Sequence, residues 1–444
     1  MTGPAMRIDE YVALDATALS DLVRRRVVRP TELVELACAR HRETHADINA
    51  VVEWYDEPDL CANVDGPLAG VPFLRKDYGS TEEGRLVEMG SRLAVGNVAT
   101  QTSWFFSTLK AAGAVVVGRS AVPELIQHGS TETTLFGATR NPHRLDLSAG
   151  GSSGGSGAAV AAGVVPAASA SDCAGSIRIP AAACGLVGLK PGRRRVPWEG
   201  GGWGGIAEEF VLTRSVRDAR LFLDVLGRGS YAVERNSIRF GVSTKHWANS
   251  TTDPEVVTAT EAIAEQFRLA GHSVTDIGGP PVDNESWMST WHGLFTRFVA
   301  ADVVSVAADS GRPIDSTTLE PLTLVALEAF SELSVADVTE SQILQGELTH
   351  SLDESLCDID VLITPTLGRP EIPLGTIAGD VDSMEDYLEM NNALFPFSYP
   401  FNVAGWPSLS IPAGDTKSGI PIGVQLSARQ GMERELLRLA EVLA

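Results

Sequence analysis

Residues 149–163 read AGGSSGGSGAAVAAG, and residues 171–180 read SDCAGSIRIP. A flexible linker can have this glycine and serine content. Here, however, the first run leads directly into a helix of small residues, and an apolar strand candidate at Val164–Ala168 lies between the two runs. A linker would join domains, whereas these runs fall inside one α/β core. The pattern therefore predicts ordered turns that bring two serine-rich segments together.

The first run can be set against two known motifs, the phosphate-binding loop of nucleotide-binding proteins and the nucleophile elbow of serine hydrolases. A phosphate-binding loop is excluded because no lysine follows the glycines. Gly151–Gly155 does match GxSxG, the nucleophile elbow of α/β-hydrolases, and would make Ser153 the nucleophile. That reading also needs a histidine later in the chain, and three are available: His272, His292 and His350. A serine esterase of this type remains an alternative at this stage.

Short apolar segments alternate with amphipathic segments along the chain, which predicts an α/β fold with helices covering a sheet. The strand candidates are Gly70–Leu74, Ala114–Gly118, Val164–Ala168, Arg239–Val242, Val361–Thr364 and Pro421–Leu426. The helix candidates include Thr31–Arg40, Ser103–Ala112, Ser215–Leu226, Pro254–Ala270 and Met432–Leu443.

Composition narrows the classes of function. The chain has 444 residues, of which 44% are hydrophobic and 21% charged, and these values are typical of a globular protein. Asp and Glu number 57 against 35 Lys and Arg, giving a net charge of -22. Such a surface repels phosphate backbones, so no nucleic-acid partner is expected.

The cysteines indicate where the protein works. They are five, widely scattered and never in a CxxC pair, which disfavours disulfides and a structural zinc site: Cys38, Cys61, Cys173, Cys184 and Cys357. The N-terminus has no basic start followed by an apolar core, and no uncharged apolar run is long enough to cross a membrane. We expect a cytoplasmic protein without a membrane partner, and a homodimer is left open.

The two opening segments, in this order, closely resemble the amidase signature family. Further matching segments are GVPFLRKDYG at 70–79, ITPT at 363–366, NVAGWPSLSIPAG at 402–414 and PIGVQL at 421–426. The resemblance implies an amidase-signature fold, with a central mixed β-sheet covered by helices on both faces. It also implies a single amidase domain over 1–444. Its signature core is expected at 15–230, a substrate-pocket portion at 231–400, and a C-terminal strand and helix at 401–444.

The resemblance implies an unusual catalytic triad. Ser176 corresponds to the nucleophile, Ser152 to a bridging serine that follows a cis peptide bond, and Lys76 to the base, with no metal and no cofactor. The chemistry is physically reasonable because lysine acts as a base only when neutral, and burial lowers its pKa. Lys76 follows the apolar residues 71–74, which suits burial. Asp77 would favour the charged lysine, so we expect it to point elsewhere.

The loop around the nucleophile supplies the remaining candidates. An oxyanion hole is expected from the backbone N–H groups of Cys173, Ala174, Gly175 and Ser176, and supporting roles from Ser153, Asp172 and Arg178. Ala174 stands where the family usually has glycine, so we expect its Cβ to narrow the loop, which would reshape the oxyanion hole or restrict the substrate. Cys173 is expected to be a small packed residue and not a second nucleophile.

Substrate-binding residues are read from the same resemblance and from aromatic content. Alignment places Ile126 near the acyl site, with Gln127 and His128 close by, and Trp203 is a further candidate. Another aromatic group has near-helical spacing and could line the pocket or belong to the core: Trp287, Trp291, Phe295 and Phe298. An apolar pocket would favour hydrophobic or aryl amides.

These observations favour an amidohydrolase that cleaves the carbon–nitrogen bond of a small-molecule amide through an acyl-Ser176 intermediate. An acyltransferase or cyclising enzyme could use the same intermediate, and sequence does not separate the two. An amidotransferase subunit acting on charged tRNA is disfavoured by the acidic surface. A binding protein that kept the fold is disfavoured because all three triad positions are present.

Overall fold

A central β-sheet organises the molecule, as the computed structural model shows. The structure describes residues 6–60, 63–199, 202–232, 235, 237–248, 250–281, 283–377 and 383–443. Within these residues the sheet has eleven strands. In chain order they are β1 (Val51–Trp54), β2 (Pro72–Lys76), β3 (Val115–Ser120), β4 (Ala167–Asp172), β5 (Val187–Lys190), β6 (Glu208–Thr213), β7 (Arg239–Val242), β8 (Ser273–Asp276), β9 (Val361–Pro365), β10 (Ser408–Asp415) and β11 (Pro421–Ala428).

The sheet is mixed, as predicted. Its spatial order is β1-β3-β2-β4-β6-β5-β10-β11-β9-β7-β8. β2 runs parallel to both β3 and β4, and β7 runs parallel to β8 and β9. The other neighbouring pairs are antiparallel. The parallel pairing of β2 with β4 brings the C-terminal ends of both strands to one edge of the sheet.

Helices surround the sheet, and those of five or more residues are given next. Over the described ranges they are α1 (Ile8–Ala13), α2 (Ala16–Arg24), α3 (Pro30–Ile48), α4 (Trp104–Ala111), α5 (Gly154–Ala161), α6 (Arg178–Cys184), α7 (Val216–Leu226), α8 (Pro254–Leu269), α9 (Asn284–Ser310), α10 (Pro321–Glu332), α11 (Val335–Ser355), α12 (Met384–Leu394), α13 (Tyr399–Val403) and α14 (Glu433–Glu441). In the part of the chain that the structure describes, every helix is too short or too polar to cross a membrane.

Local sequence explains several helix boundaries. Pro30 occupies the first position of α3, where its missing N–H costs nothing. Ser103 and Ser215 cap α4 and α7, because each side chain accepts a hydrogen bond from a backbone N–H of the first turn. Predicted and observed boundaries of these helices therefore differ by only one or two residues, apart from α3, which continues to Ile48.

One strand lies further along the chain than its apolar pattern predicts. The prediction covered Val164–Ala168, whereas β4 spans Ala167–Asp172 and all six of its residues are buried. Small Ala and Ser side chains replace the expected branched ones, because β4 is enclosed between β2 and β6 and crossed by α5. This shift brings the strand to the start of the serine loop, where Asp172 is its last residue.

Two hydrophobic cores pack against the sheet. One lies between the sheet and its covering helices and includes Phe73, Val117 and Leu426. The other lies under the helices of residues 284–403 and is rich in aromatic side chains, among them Trp291 and Phe395. The site described next lies where β2 and β4 end, against this second core.

Candidate active site

Lys76, the last residue of β2, is enclosed by three serine hydroxyls. It is 1% exposed, and its Nζ lies 2.8 Å from Ser152 Oγ, 2.8 Å from Ser153 Oγ and 2.9 Å from Ser171 Oγ. We call Lys76 and these three serines the lysine cage. Burial lowers the pKa of Lys76 to about 7, although the negative groups around it act in the opposite direction. A substantial fraction of the amine is therefore neutral at pH 7.

The hydrogen bonds of the lysine cage allow the amine lone pair to face Ser152. A neutral amine has two N–H donors and one lone pair, whereas an ammonium has three donors. Ser153 Oγ donates to Ser171 O at 3.3 Å, so it must accept from Lys76. If Ser171 Oγ accepts the second N–H, the lone pair faces Ser152 and can accept its hydroxyl proton.

Asp77 points away from the lysine cage, as predicted. Its Oδ2 accepts a hydrogen bond from Arg119 Nη1 at 2.7 Å, and its Oδ1 accepts the N–H of Glu88 at 3.2 Å. Arg119 also pairs with Glu88 at 2.7 Å. The carboxylate next to the base in sequence thus neutralises a buried guanidinium and leaves Lys76 without a carboxylate in contact.

Ser152 lies in the turn between residue 149 and α5. The Gly151–Ser152 peptide bond is cis, as the family resemblance implied. Ser152 is fully buried. A Cβ at Gly151 would lie 2.3 Å from Ser130 O, and one at Gly155 would lie 2.4 Å from Ala121 N, so both positions need glycine for this close backbone approach.

Ser176 lies on the loop between β4 and α6 and borders a pocket. Ser176 is 6% exposed and lines the pocket, whereas the side chains of the lysine cage are buried. Within the described ranges, Ser176 Oγ forms no hydrogen bond, and Ser152 Oγ is bonded only to Lys76. Lys76 and Ser152 are therefore hydrogen-bonded to each other, whereas Ser152 and Ser176 are not.

Asp172 organises the loop that carries Ser176, the candidate nucleophile, which we call the nucleophile loop. Its carboxylate accepts the N–H groups of Gly175 at 2.7 Å and Ile177 at 3.2 Å, and it pairs with Arg178 Nε at 2.9 Å. Burial alone would raise the pKa of Asp172, but the charge and hydrogen bonds of Arg178 outweigh it and hold this pKa well below its usual range. Arg178 also reaches Gln425 Oε1 at 2.7 Å, which ties the loop to β11.

One of the four expected oxyanion donors is already engaged. The N–H of Gly175 donates to Asp172, which removes it from the set of free donors. In the part of the chain that is described, the N–H groups of Cys173, Ala174 and Ser176 donate to no other residue. Their availability is what an oxyanion hole needs.

Ala174 does not strain the loop in the way the sequence suggested. The left-handed backbone occurs at Gly175, with φ +123°, where a Cβ would lie 2.8 Å from Ser398 Oγ. Ala174 is not among the residues with positive φ, so an alanine fits there without strain. Ala174 lines the pocket, so restriction of the substrate remains the prediction for this position.

The pocket next to Ser176 is mostly apolar and partly open to solvent. Ile126, Gln127 and His128 line it, as the resemblance indicated. Its other lining residues are Gly129, Cys173, Ala174, Ile179, Met288, Trp291, Phe295, Tyr387, Leu388, Asn391, Asn392, Phe395 and Tyr399.

Trp203 is not among the lining residues, which corrects its assignment to substrate binding. It is 3% exposed, donates from Nε1 to Tyr78 Oη at 2.9 Å, and stacks on Phe298 with centroids 5.8 Å apart. Its ring lies against Phe295, which does line the pocket. Trp203 is therefore packed inside an aromatic cluster, where it supports the pocket wall without lining the cavity.

Sequence reasoning missed two residues of the site. Ser171 completes the lysine cage, and its signal was the alternation with Ser169, whose Oγ accepts the N–H of Lys76 at 2.8 Å. Ser398 donates to the carbonyl of Ala174, and no local pattern marks it because α13 is distant in sequence.

The α/β-hydrolase alternative is not supported. Ser153 is bonded to Lys76 and to the backbone of Ser171, and no histidine is among its partners in the described residues. No described group of three or more His, Cys, Asp or Glu side chains could hold a metal ion. Four cysteines are free thiols, and Cys61 lies outside the described residues.

Comparison with known proteins agrees with this geometry. The Amidase family model matches residues 32–437. A 6-aminohexanoate-cyclic-dimer hydrolase from Paenarthrobacter ureafaciens is 32% identical over 468 residues, covering 97% of this chain and 94% of that protein. An acylamidase from Rhodococcus erythropolis is 30% identical, covering 96% and 94% of the two chains.

The same likeness holds in three dimensions. The solved structure of 6-aminohexanoate cyclic dimer hydrolase complexed with substrate superposes with a TM-score of 0.90. It is 30% identical, and the match covers 97% of this chain and 96% of that one. The likeness therefore extends over nearly the whole of both chains.

Proposed function

This chain belongs to the amidase signature family, and from that premise we propose that it hydrolyses small, largely apolar amides through an acyl-Ser176 intermediate. It is an amidohydrolase, an enzyme that cleaves carbon–nitrogen bonds other than peptide bonds. The observation that carries the residue assignment is the 2.8 Å contact between Lys76 Nζ and Ser152 Oγ inside a sealed cage.

The first half-reaction forms the acyl-enzyme. Neutral Lys76 accepts the proton of Ser152, which accepts the proton of Ser176, and Ser176 Oγ forms a bond to the amide carbon. Negative charge develops on the carbonyl oxygen, where the free N–H groups of the nucleophile loop would stabilise it. Each preorganised donor of this kind is worth roughly 3–4 kcal/mol. The proton then returns through Ser152 to the leaving nitrogen as the carbon–nitrogen bond breaks.

The second link of this relay is open in the structure, since Ser176 Oγ has no hydrogen bond there. Catalytic hydrogen bonds are often long without substrate and tighten in the complex. We propose that Ser176 reaches Ser152 when the substrate fills the apolar pocket and expels water. In the second half-reaction, water takes the place of the amine, gives its proton to the same relay, and releases the acid from Ser176.

A fluorophosphonate probe tests the assignment. Wild-type protein should gain one phosphonyl group, mapped to Ser176, and the Ser176→Ala variant should gain none. Labelling of Ser153 in place of Ser176 would reject the assignment. Product analysis with added amine acceptors then separates hydrolysis from acyl transfer. The cytoplasmic location and the absence of a nucleic-acid partner remain predictions from the sequence, and a homodimer remains open.

A further inference from the structure

The pocket contains no formal charge. None of its lining residues is Asp, Glu, Lys or Arg. Burial lowers the pKa of His128 to about 4 and raises that of the Cys173 thiol to about 12, so both are neutral at pH 7. A charged group on the substrate would lose its hydration here without gaining a counter-ion, which is costly.

Three side-chain polar atoms on residues that line this pocket have no hydrogen-bond partner among the described residues: Gln127 Oε1, His128 Nδ1 and Asn392 Oδ1. Gln127 is 3% exposed and lines the cavity, yet its Oε1 has no hydrogen-bond donor in the structure. His128 Nδ1, next to it, is also unpartnered. Leaving a buried acceptor without a donor is destabilising, so an unpaired oxygen on a residue that lines a ligand cavity points to a ligand that supplies the donor.

A buried hydrogen-bond relay fixes the orientation of the Gln127 amide. The Glu124 carboxylate accepts from Ser91 Oγ at 2.8 Å, from the N–H of Glu320 at 2.7 Å and from Thr323 Oγ1 at 2.5 Å. Because Thr323 gives its only proton to Glu124, its oxygen can only accept, and Gln127 Nε2 donates to it at 2.7 Å. The amide nitrogen therefore faces Thr323, and the oxygen is the atom left over.

The backbone before Gln127 is strained in a way that fits a functional position. Leu125 and Ile126 have φ of 46° and 57°, the left-handed region that branched and bulky residues rarely adopt. The N–H of Leu125 is held by Met89 O at 2.8 Å. The chain thus maintains an unfavourable turn that delivers Ile126 and Gln127 to the pocket wall.

We infer that the pocket selects uncharged amides that carry a second N–H donor beyond the scissile bond, and that Gln127 Oε1 accepts that N–H. This inference rests on the proposed function, because it concerns the same substrate pocket. Glu124 and Thr323 are positioning residues that act through Gln127. A carboxylate or ammonium tail is disfavoured inside the pocket, because no lining residue carries a charge. Glu385 and Glu389 lie outside the pocket, on the adjoining surface.

A matched set of p-nitroanilides tests the inference. The acyl tail has three to six methylene groups and ends in one of five groups. These are methyl, a secondary acetamide (–NH–CO–CH₃), an N-methylacetamide without an N–H (–N(CH₃)–CO–CH₃), carboxylate and ammonium. Affinity is measured by calorimetry with Ser176→Ala, which binds without turnover, and kcat/KM is measured with the wild type. At the best tail length, the secondary acetamide should bind about tenfold more tightly than the N-methylacetamide, and both charged tails should bind more weakly than methyl.

Two variants isolate the relay. Thr323→Val frees the Gln127 amide to turn and should remove the tenfold preference, whereas Thr323→Ser keeps the hydroxyl and should retain it. Gln127→Met should equalise the two amide tails even if Thr323→Val fails to fold. Equal affinity of the two tails at every length in the Ser176→Ala background would show that solvent satisfies Oε1 and would overturn the inference.

The proposed function is judged separately from this preference. Hydrolysis of the methyl-tailed anilide by the wild type, and its loss in Lys76→Ala, support the proposed function whatever the tails do. Absence of turnover for every member of the set, with normal binding, would count against the proposed function and leave the binding preference to be judged by its own affinities.

Discussion

The lysine cage and the pocket differ in almost every physical property, although Ser176 connects them. The cage residues are 0–1% exposed, polar and drawn from three short segments that end or begin elements of the sheet core. The pocket wall is mostly apolar and comes from helices spread over residues 284–403, from the turn at 126–129 and from the segment 173–179 that carries Ser176. Proton transfer thus depends on a sealed polar cluster, whereas substrate choice depends on a separate wall.

This division has a clear consequence for mutagenesis. A change in the lysine cage should lower turnover for every amide by a similar factor, because the same proton transfer serves all substrates. A change in the pocket wall should alter the ranking of amides and leave the acylation chemistry in place. Each of the following predictions either breaks or sharpens that contrast.

Loss of the base should have the largest effect. Lys76→Ala removes the proton acceptor of Ser152, so kcat should fall by at least about 10³-fold for every amide hydrolysed. The surface variant Lys417→Ala is the matched control and should keep wild-type kinetics. Steady-state kinetics on several anilides measures both, and a loss confined to one substrate would break the contrast.

Removal of the Asp172 charge should affect stability most. Asp172→Asn leaves the fully buried guanidinium of Arg178 without its counter-ion, and the free energy of unfolding should fall by about 3 kcal/mol. Urea unfolding of this variant measures the loss. The exposed pair of Asp358 with Arg239 is the control, and Asp358→Asn should unfold like the wild type.

Ser171 should matter for rate but not for binding. Without its hydroxyl, Ser171→Ala lets the Lys76 amine rotate away from Ser152, and kcat should fall about tenfold with little change in KM. Ser171→Thr restores an oxygen and should recover most of the rate. If both variants behaved alike, a positioning role for the hydroxyl would be contradicted.

The smallest effect is expected behind the pocket wall. Trp203→Phe removes the hydrogen bond to Tyr78 but keeps an aromatic ring against Phe295 and Phe298. Kinetic constants should stay within about twofold of the wild type, since neither a tryptophan nor a phenylalanine ring at position 203 contacts the cavity. A change in substrate ranking as large as that of a lining variant, such as Trp291→Ala, would return Trp203 to the pocket.

The two regions also differ in how far sequence predicts them. Lys76, Ser152 and Ser176 stand in contiguous motifs, and glycines at 151 and 155 mark the tight backbone approach that the motif needs. Sequence favoured Trp203 as a substrate-binding residue and left Trp291 open between pocket and core, yet of the two only Trp291 lines the cavity. Which aromatic faces a pocket depends on how distant helices pack, and helical spacing alone carries no information about that.

The same reason explains the residues that sequence missed. Thr323 and Ser398 contact the site from α10 and from the first turn of α13, more than 190 residues from the segments they orient. Ser171 was missed as well, but the sequence did contain a signal for it, because strand alternation places it on the same face as Ser169. Contacts made within one element can be read from spacing, whereas contacts between distant elements need the fold.

The central claim is that a buried, neutral Lys76 draws the proton from Ser176 through Ser152. The rate of fluorophosphonate labelling of Ser176, followed by intact mass from pH 5 to 9.5, measures that step without a substrate. Because the deprotonated amine is the active form, the rate should rise with pH through an apparent pKa of about 7 and then level off. A rate that is flat over this range, or that rises only near the ordinary lysine pKa of about 10.4, would contradict the claim.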